Sequence, residues 1–316
     1  MRGLHQASAV LLMFGVGFAG CRADRAPERR DEPALVRAAP PAVAVQPAAV
    51  AVRSSPRPRR PATLVKTAET PAPEPVCPES MAFISGNYCR SVEQRCLEYK
   101  QAKGAIDENR CLKFEKPTLC VSTAPEPRRM RFCMDLHEYP NRVGELPMTL
   151  VNWTEAERLC GLQGKRLCTE SEFTFACEGD EMRPYAYGFE RDASKCNIDL
   201  PYAKQRQRIQ LLPSLECDGN PTCRRERARL DHRGKIGDRP ECVSPFGVFD
   251  LNGNVNEWVA QPWKNPPHRA GLKGGWWGPV RNRCRAIAQG HDEKYLGYEV
   301  GFRCCKDAPK PKGKLF

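Results

Sequence analysis

The sequence predicts one disulfide-framed globular domain, built of short helices and turn-broken segments, that is exported from the cell interior. Three observations predict this. Of the 17 cysteines, all except Cys21 fall between Cys77 and Cys305. An even number of cysteines behind an export signal reads as a disulfide framework, with every cysteine available for pairing. Glycine, proline and cysteine interrupt residues 77–308 throughout, so no long apolar period survives. The first twenty residues, finally, have the layout of a secretory signal.

That signal comes first in the chain. Arg2 and His5 give a basic start, Ala9 to Ala19 is almost wholly apolar, and small residues close it as Ala19-Gly20-Cys21. The apolar core is too short for the roughly 20 residues that a spanning helix needs. Residues 1–20 are therefore read as a signal peptide. Phe18-Ala19-Gly20-Cys21 resembles a bacterial lipobox, although Phe18 is an unusual first letter, and Cys21 is the expected lipidation site. An ordinary signal with a chance cysteine is the plainer alternative. Arg22 follows Cys21 where an aspartate would favour inner-membrane retention. The expected location is an exported, membrane-anchored lipoprotein, in the periplasm or on the outer membrane.

Residues 21–76 are rich in proline, alanine and arginine, as in Arg57-Pro58-Arg59-Arg60-Pro61. Proline at that density removes ladder donors and favours an extended, solvated spacer. A second basic stretch, 204–240, reads as an insert, and 309–316 as a basic tail. Much of the net charge of +12 lies in stalk and insert rather than in the core. Charge alone does not make a nucleic-acid binder, and no such module is present, so no nucleic-acid partner is expected.

Within the domain, Thr154-Glu155-Ala156-Glu157 and Thr169-Glu170-Ser171-Glu172 have the form of capping boxes that start two helices. The first would end at Gly161 or Gly164, with Ala156, Leu159 and Cys160 on one face. The second would turn Phe173, Ala176 and Cys177 inward. A third box, Ser91-Val92-Glu93-Gln94, would start a helix carrying Cys96.

Several chemistries are excluded by motif. No pair of Cys-x2-Cys units suggests zinc, and the five histidines lack metal-ligand spacing. No phosphate-cradling glycine loop, Gly-x-Ser-x-Gly elbow or His-Glu-x-x-His occurs. The acid pairs Glu170/Glu172 and Asp180/Glu181 are explained by capping and solvated loops.

Several blocks then arrive in a telling order. Val151-Asn-Trp-Thr-Glu-Ala-Glu157 is followed by Gly164-Lys-Arg-Leu-Cys-Thr-Glu-Ser-Glu-Phe173, then by Tyr185-Ala-Tyr-Gly188. Phe246-Gly-Val-Phe-Asp-Leu-Asn-Gly-Asn-Val-Asn-Glu-Trp258, Lys273-Gly-Gly-Trp-Trp277 and Gly301-Phe-Arg-Cys304 complete the series. Each block alone is weak, but in this order they resemble the formylglycine-generating enzyme, or sulfatase-modifying factor, family. Cys133 to Asn141 is similar to an early stretch of that family, and 77–130 matches only weakly.

The resemblance implies an irregular α+β fold, C-type-lectin-like and low in regular secondary structure, spanning 77–308. It implies disulfides Cys160–Cys304 and Cys177–Cys284, with the other pairings left open. It implies structural calcium held by Asn254 and Glu257, and a second site fed by Asn197 and Ile198; hard oxygen donors suit that ion. The alternative for Asn252-Gly253-Asn254 is a tight turn held by its own side chains. Aerobic members hold Cu(I) on two cysteines four residues apart, since soft thiolates suit that metal. Here Gly274-Gly-Trp-Trp-Gly-Pro-Val-Arg-Asn-Arg-Cys284-Arg285 offers a single cysteine, so copper is not supported. Cys284 is a weak catalytic candidate, because another gap placement puts it on one copper position and Pro279 on the other.

The histidine-iron branch of the superfamily needs a helical domain absent from this sequence. Trp276, Trp277, Arg281, Arg283 and Arg285 are the candidate cleft for an extended peptide or a glycan. Two readings remain: a binding or structural module without chemistry, or a metal-dependent oxidoreductase of the formylglycine-generating type.

Overall fold

The computed structural model describes residues 76–102, 105–122, 128–204 and 217–310. The signal peptide, Cys21, the stalk to residue 75, part of the basic insert and residues 311–316 lie outside the described residues.

The fold is α+β, with small sheets, few helices and many crosslinks. The strands, in chain order, are β1 Met81–Tyr88, β2 Val92–Glu93, β3 Cys96–Ala102, β4 Ala105–Phe114, β5 Leu119–Cys120 and β6 Arg128–Asp135. After them come helix α1 Trp153–Leu162, strand β7 Arg166–Leu167 and helix α2 Glu170–Glu178. Helix α3 Pro221–Leu230 precedes β8 Asn256–Ala260, β9 Ala270–Lys273, β10 Ile287–Ala288, β11 Val300–Phe302 and β12 Cys304–Asp307. One sheet has the order β1-β6-β12-β7 and a second the order β10-β9-β8-β11. The first is antiparallel throughout, whereas β11 lies parallel to β8 in the second. The chain crosses from the second sheet to the first between Phe302 and Cys304, through Arg303 alone.

Local sequence explains most of these boundaries. Thr169 caps α2 as a complete box, its hydroxyl taking the Glu172 amide and the Glu172 carboxylate taking the Thr169 amide. Phe173, Ala176 and Cys177 are buried on its inner face. Helix α1 departs from the expected start: Asn152 is the cap, its side chain accepting from the Glu155 amide at 2.9 Å. Asn152 outcompetes Thr154 because starting there lets Trp153 enter the helix buried, its indole donating to the Val259 carbonyl at 3.0 Å. Gly161 lies inside that helix and Gly164, at φ +63°, just beyond its cap. The third expected helix does not form. Val92–Glu93 pairs with Leu119–Cys120, and Cys96 opens β3, because Cys96–Cys111 and Cys89–Cys120 hold this region as paired strands.

Eight disulfides join the sixteen cysteines of the described residues. Cys160–Cys304 and Cys168–Cys305 fasten α1 and the end of β7 to neighbouring residues of β12. Cys177–Cys284 fastens α2 to the segment after Trp277. Such loops of more than a hundred residues restrict the unfolded chain strongly, each closure contributing about 2–4 kcal/mol. The main core packs Phe132, Met134, Phe173, Phe175, Leu251 and Val259 between α2 and both sheets.

Candidate functional site

Gly275, Trp276, Pro279, Val280 and Arg281, in the loop after β9, line one side of a hollow of about 380 Å³. Gly274 and Gly275 (φ +80° and +76°) turn the chain out of β9. A Cβ on Gly275 would stand 2.5 Å from the Asn282 side-chain nitrogen, so this turn admits only glycine. Asn282 is buried and acts as a brace: its Nδ2 donates to the Trp276 carbonyl at 2.8 Å, and its Oδ1 accepts from Arg191 at 2.7 Å.

Of the five residues expected to line a cleft, the structure brings two together. Trp276 and Arg281 line the hollow. Trp277 is buried, packing edge-on against Trp276 and against Tyr298 and His232. Arg283 lies over the Phe114 ring at 5.8 Å, its buried Nε without a partner. Arg285 forms a two-pronged pair with Glu178 at 2.7 and 2.6 Å and donates to the Cys89 and Arg90 carbonyls. Sequence reasoning could not separate these arginines, since their directions depend on distant partners.

Sequence reasoning also missed Asp107, Asn256, His291 and Glu299, which complete the lining. Burial pushes the Glu299 carboxyl up, and its buried Oε2 has no hydrogen-bond partner. His291 stacks on Tyr295 at 3.8 Å, and burial lowers its pKa. The only available signal was proximity to the Gly301-Phe302-Arg303 block.

Cys284 does not reach this hollow as a thiol. It is fully buried, bonded to Cys177 and not among the lining residues, while Pro279, at the alternative catalytic position, is one of them. Cys160 is likewise bonded to Cys304.

The residues assigned to calcium form a different arrangement. Asn254, at φ +54°, accepts through Oδ1 from the Gly234 amide at 2.8 Å and from Asn197 Nδ2 at 3.0 Å. Its Nδ2 donates to Glu138 Oε2 at 2.7 Å. Glu257 spends both oxygens on Arg303, at 2.6 and 2.7 Å, with both side chains buried. Asn197 therefore joins Asn254 rather than a separate cluster, and Ile198 packs with Cys196 and Cys242. Because nitrogen donors hold these oxygens, the arrangement as placed does not fit a cation shared by Asn254 and Glu257. Binding one there would first require removing Arg303 from Glu257.

This arrangement is an electrostatic hub. Arg303 also donates towards the Asp135 and Leu136 carbonyls at 3.4 Å, and Asp135 accepts from Lys165 at 2.6 Å and from the Cys304 amide at 3.2 Å. Burial pushes the Glu138 carboxyl well up, reinforced by neighbouring Asp250 and Glu257. Burial raises Glu257 too, against the pull of Arg303. Nearby, His137 stacks on Phe249 at 4.8 Å, and burial lowers its pKa to about 4.

The Sulfatase-modifying factor enzyme 1-like domain family matches residues 94–308. A relative named Inactive C-alpha-formylglycine-generating enzyme 2, from Bos taurus, is 26% identical over 188 residues, covering 54% of this chain and 54% of that one. The protein of the same name from Mus musculus is 26% identical over 183 residues, covering 54% and 52%. The chain thus spans about half the length of the curated relatives it matches. Among solved structures, CarF is similar over 73% of this chain and 99% of its own, at 12% identity and a TM-score of 0.45. With two thirds of its length matched by one family, this chain belongs to the sulfatase-modifying factor enzyme 1-like domain family.

Proposed function

We propose that this protein is a cell-envelope lipoprotein, anchored through Cys21, whose domain binds an extended peptide without catalysing its oxidation. One observation carries the reading: Cys284, the single cysteine in the segment where the resemblance places a copper pair, is buried in a disulfide with Cys177. A thiolate pair is what Cu(I) would require, and a closed disulfide offers no such ligand. The name of the mammalian relatives, which marks them as inactive, supports the same reading.

The hollow beside Trp276 and Arg281 supplies the recognition chemistry. A half-buried indole gives a flat apolar face, Arg281 a cation, and the Glu299 carboxyl an unsatisfied acceptor. Few, well-placed polar groups on an apolar wall are the usual make-up of a ligand site. The lipobox-like Phe18-Ala19-Gly20-Cys21, the stalk and the crosslinked domain together support a tethered position outside the cytosol.

The test uses the full-length protein and a synthetic sulfatase-type cysteine peptide. The reading predicts peptide binding that Trp276→Ala weakens, no peptide aldehyde by mass spectrometry with added copper and oxygen, and loss of acyl labelling in Cys21→Ser. Aldehyde formation would restore the alternative, a metal-dependent oxidoreductase.

A further inference from the structure

A second surface, which shares no lining residue with the Trp276 hollow, has the chemistry of a ligand groove. The largest exposed aromatic side chain among the described residues is Trp263, 61% exposed, in the turn between β8 and β9. The turn is rigidly mounted. The Lys264 amide closes onto the Gln261 carbonyl at 3.0 Å, with Pro262 setting the bend. Gln261 is fully buried, and its Nε2 donates to Glu170 on α2 at 2.7 Å. An indole held exposed on a fixed turn keeps its apolar face in water, open to a ligand.

Two hollows flank that indole and share Trp263 and Ser171. One, of about 480 Å³, is lined by Tyr88, Arg90 and Glu170. The other, of about 410 Å³, is lined by Arg129, Arg131, Arg166, Thr169, Glu172 and Asp307, among others. The charges in the second hollow are unequally spent. Arg166 takes both Glu172 and Asp307, at 2.7 and 2.6 Å. Arg131 is held in place over the Phe83 ring and by the Pro309 carbonyl, and among the described residues neither it nor Arg129 pairs with a carboxylate. The groove therefore offers an aromatic face at Trp263, the Ser171 hydroxyl, and two cations, Arg129 and Arg131, that no acid among the described residues neutralises.

We propose that this groove binds an acidic polysaccharide, with a pyranose ring stacked on Trp263 and its carboxylates facing Arg129 and Arg131. A sugar ring presents a flat C–H face to an aromatic ring and hydroxyls at its rim. A uronate carboxylate matches the fork of an arginine. An acidic peptide shares the carboxylate but lacks the rigid ring for which the flat indole is suited, and it becomes the competing outcome of the test. The groove is distinct from the Trp276 hollow, and its probe differs from the cysteine peptide, so either site can fail alone.

The test titrates the full-length protein calorimetrically with an oligouronate (a short alginate), a neutral cello-oligosaccharide and poly-glutamate. The oligouronate should bind most tightly, with affinity falling as salt rises. Trp263→Ala should weaken it by roughly tenfold, Trp263→Phe should recover most of that loss, and Arg129→Gln with Arg131→Gln should weaken it and flatten its salt dependence. Unchanged melting curves show that these surface variants fold. Unchanged oligouronate affinity in Trp263→Ala would assign the binding to the stalk arginines and overturn the proposal. So would absence of oligouronate binding, or poly-glutamate binding equally dependent on Trp263.

Discussion

The junction at Arg303 and the hollow at Trp276 are built from adjacent strands, yet they treat polar atoms in opposite ways. At the junction, four carboxylates (Asp135, Glu138, Asp250 and Glu257) gather around one guanidinium, with Lys165 completing the set and two disulfides clamping β12 directly after the crossing. Nearly every donor there has an acceptor within the fold. At the hollow, the Glu299 Oε2 is buried without a partner and Trp276 keeps part of its face open. The contrast separates a saturated junction from an unsaturated hollow. The Glu257 oxygens are held by Arg303 at the crossing between two sheets, whereas Glu299 Oε2, on a lining residue of the hollow, is left without a partner.

Removing the junction's cation should give the largest effect. Arg303→Met strands several buried carboxylates and should cost about 3–5 kcal/mol, read as a lower denaturation midpoint. If the loss is below about 1 kcal/mol, the junction is not the stronger region and the comparison fails. Cys177→Ser with Cys284→Ser should cost about 2–4 kcal/mol, measured by urea unfolding. The same variant should leave peptide oxidation at background.

pH offers a sharper and smaller test. Lys273 is buried, donates to Thr174 Oγ1 at 2.8 Å, and has its pKa lowered by burial to about 7 from 10.5. Between those values the unfolded chain binds the proton and the folded chain does not, so stability gains from this group as pH rises from 7 towards 10.5. His137, lowered to about 4 from 6.5, gives a gain of the same sign as pH rises from 4 to 6.5. Lys273→Met should flatten the first rise and His137→Phe the second, as followed by thermal melts across pH. The smallest effect should come from chelation. With Asn254 and Glu257 engaged by nitrogen donors, EDTA should move the melting temperature by less than about 2 °C, whereas a large drop would show that these oxygens serve calcium.

The sequence made some of this legible and hid the rest for physical reasons. The α2 capping box was readable because Thr169 and Glu172 act within one turn of chain. The neighbouring Thr154 box misled, since burial of Trp153, a tertiary effect, moved the helix start to Asn152. Ser91 to Gln94 looked helical by the same local rule, but strand pairing and two disulfides overrode it. The cysteine partners 160/304 and 177/284 came only through family resemblance, since spacing alone does not determine pairing. Of the five residues that the family resemblance suggested for a cleft, Trp276 and Arg281 line the same hollow. Arg285 turns instead to Glu178, a partner 107 residues away that local sequence does not name. Glu299, His291 and Trp263 carried no motif, as their roles come from exposure and orphaned atoms that only the packed chain reveals.

The most direct measurement is thiol titration of the denatured, unreduced mature domain, followed by peptide mapping of its disulfides. The account predicts no free thiol and a peptide pair joining Cys177 to Cys284. Recovery of Cys284 as a free thiol able to bind Cu(I) would contradict it.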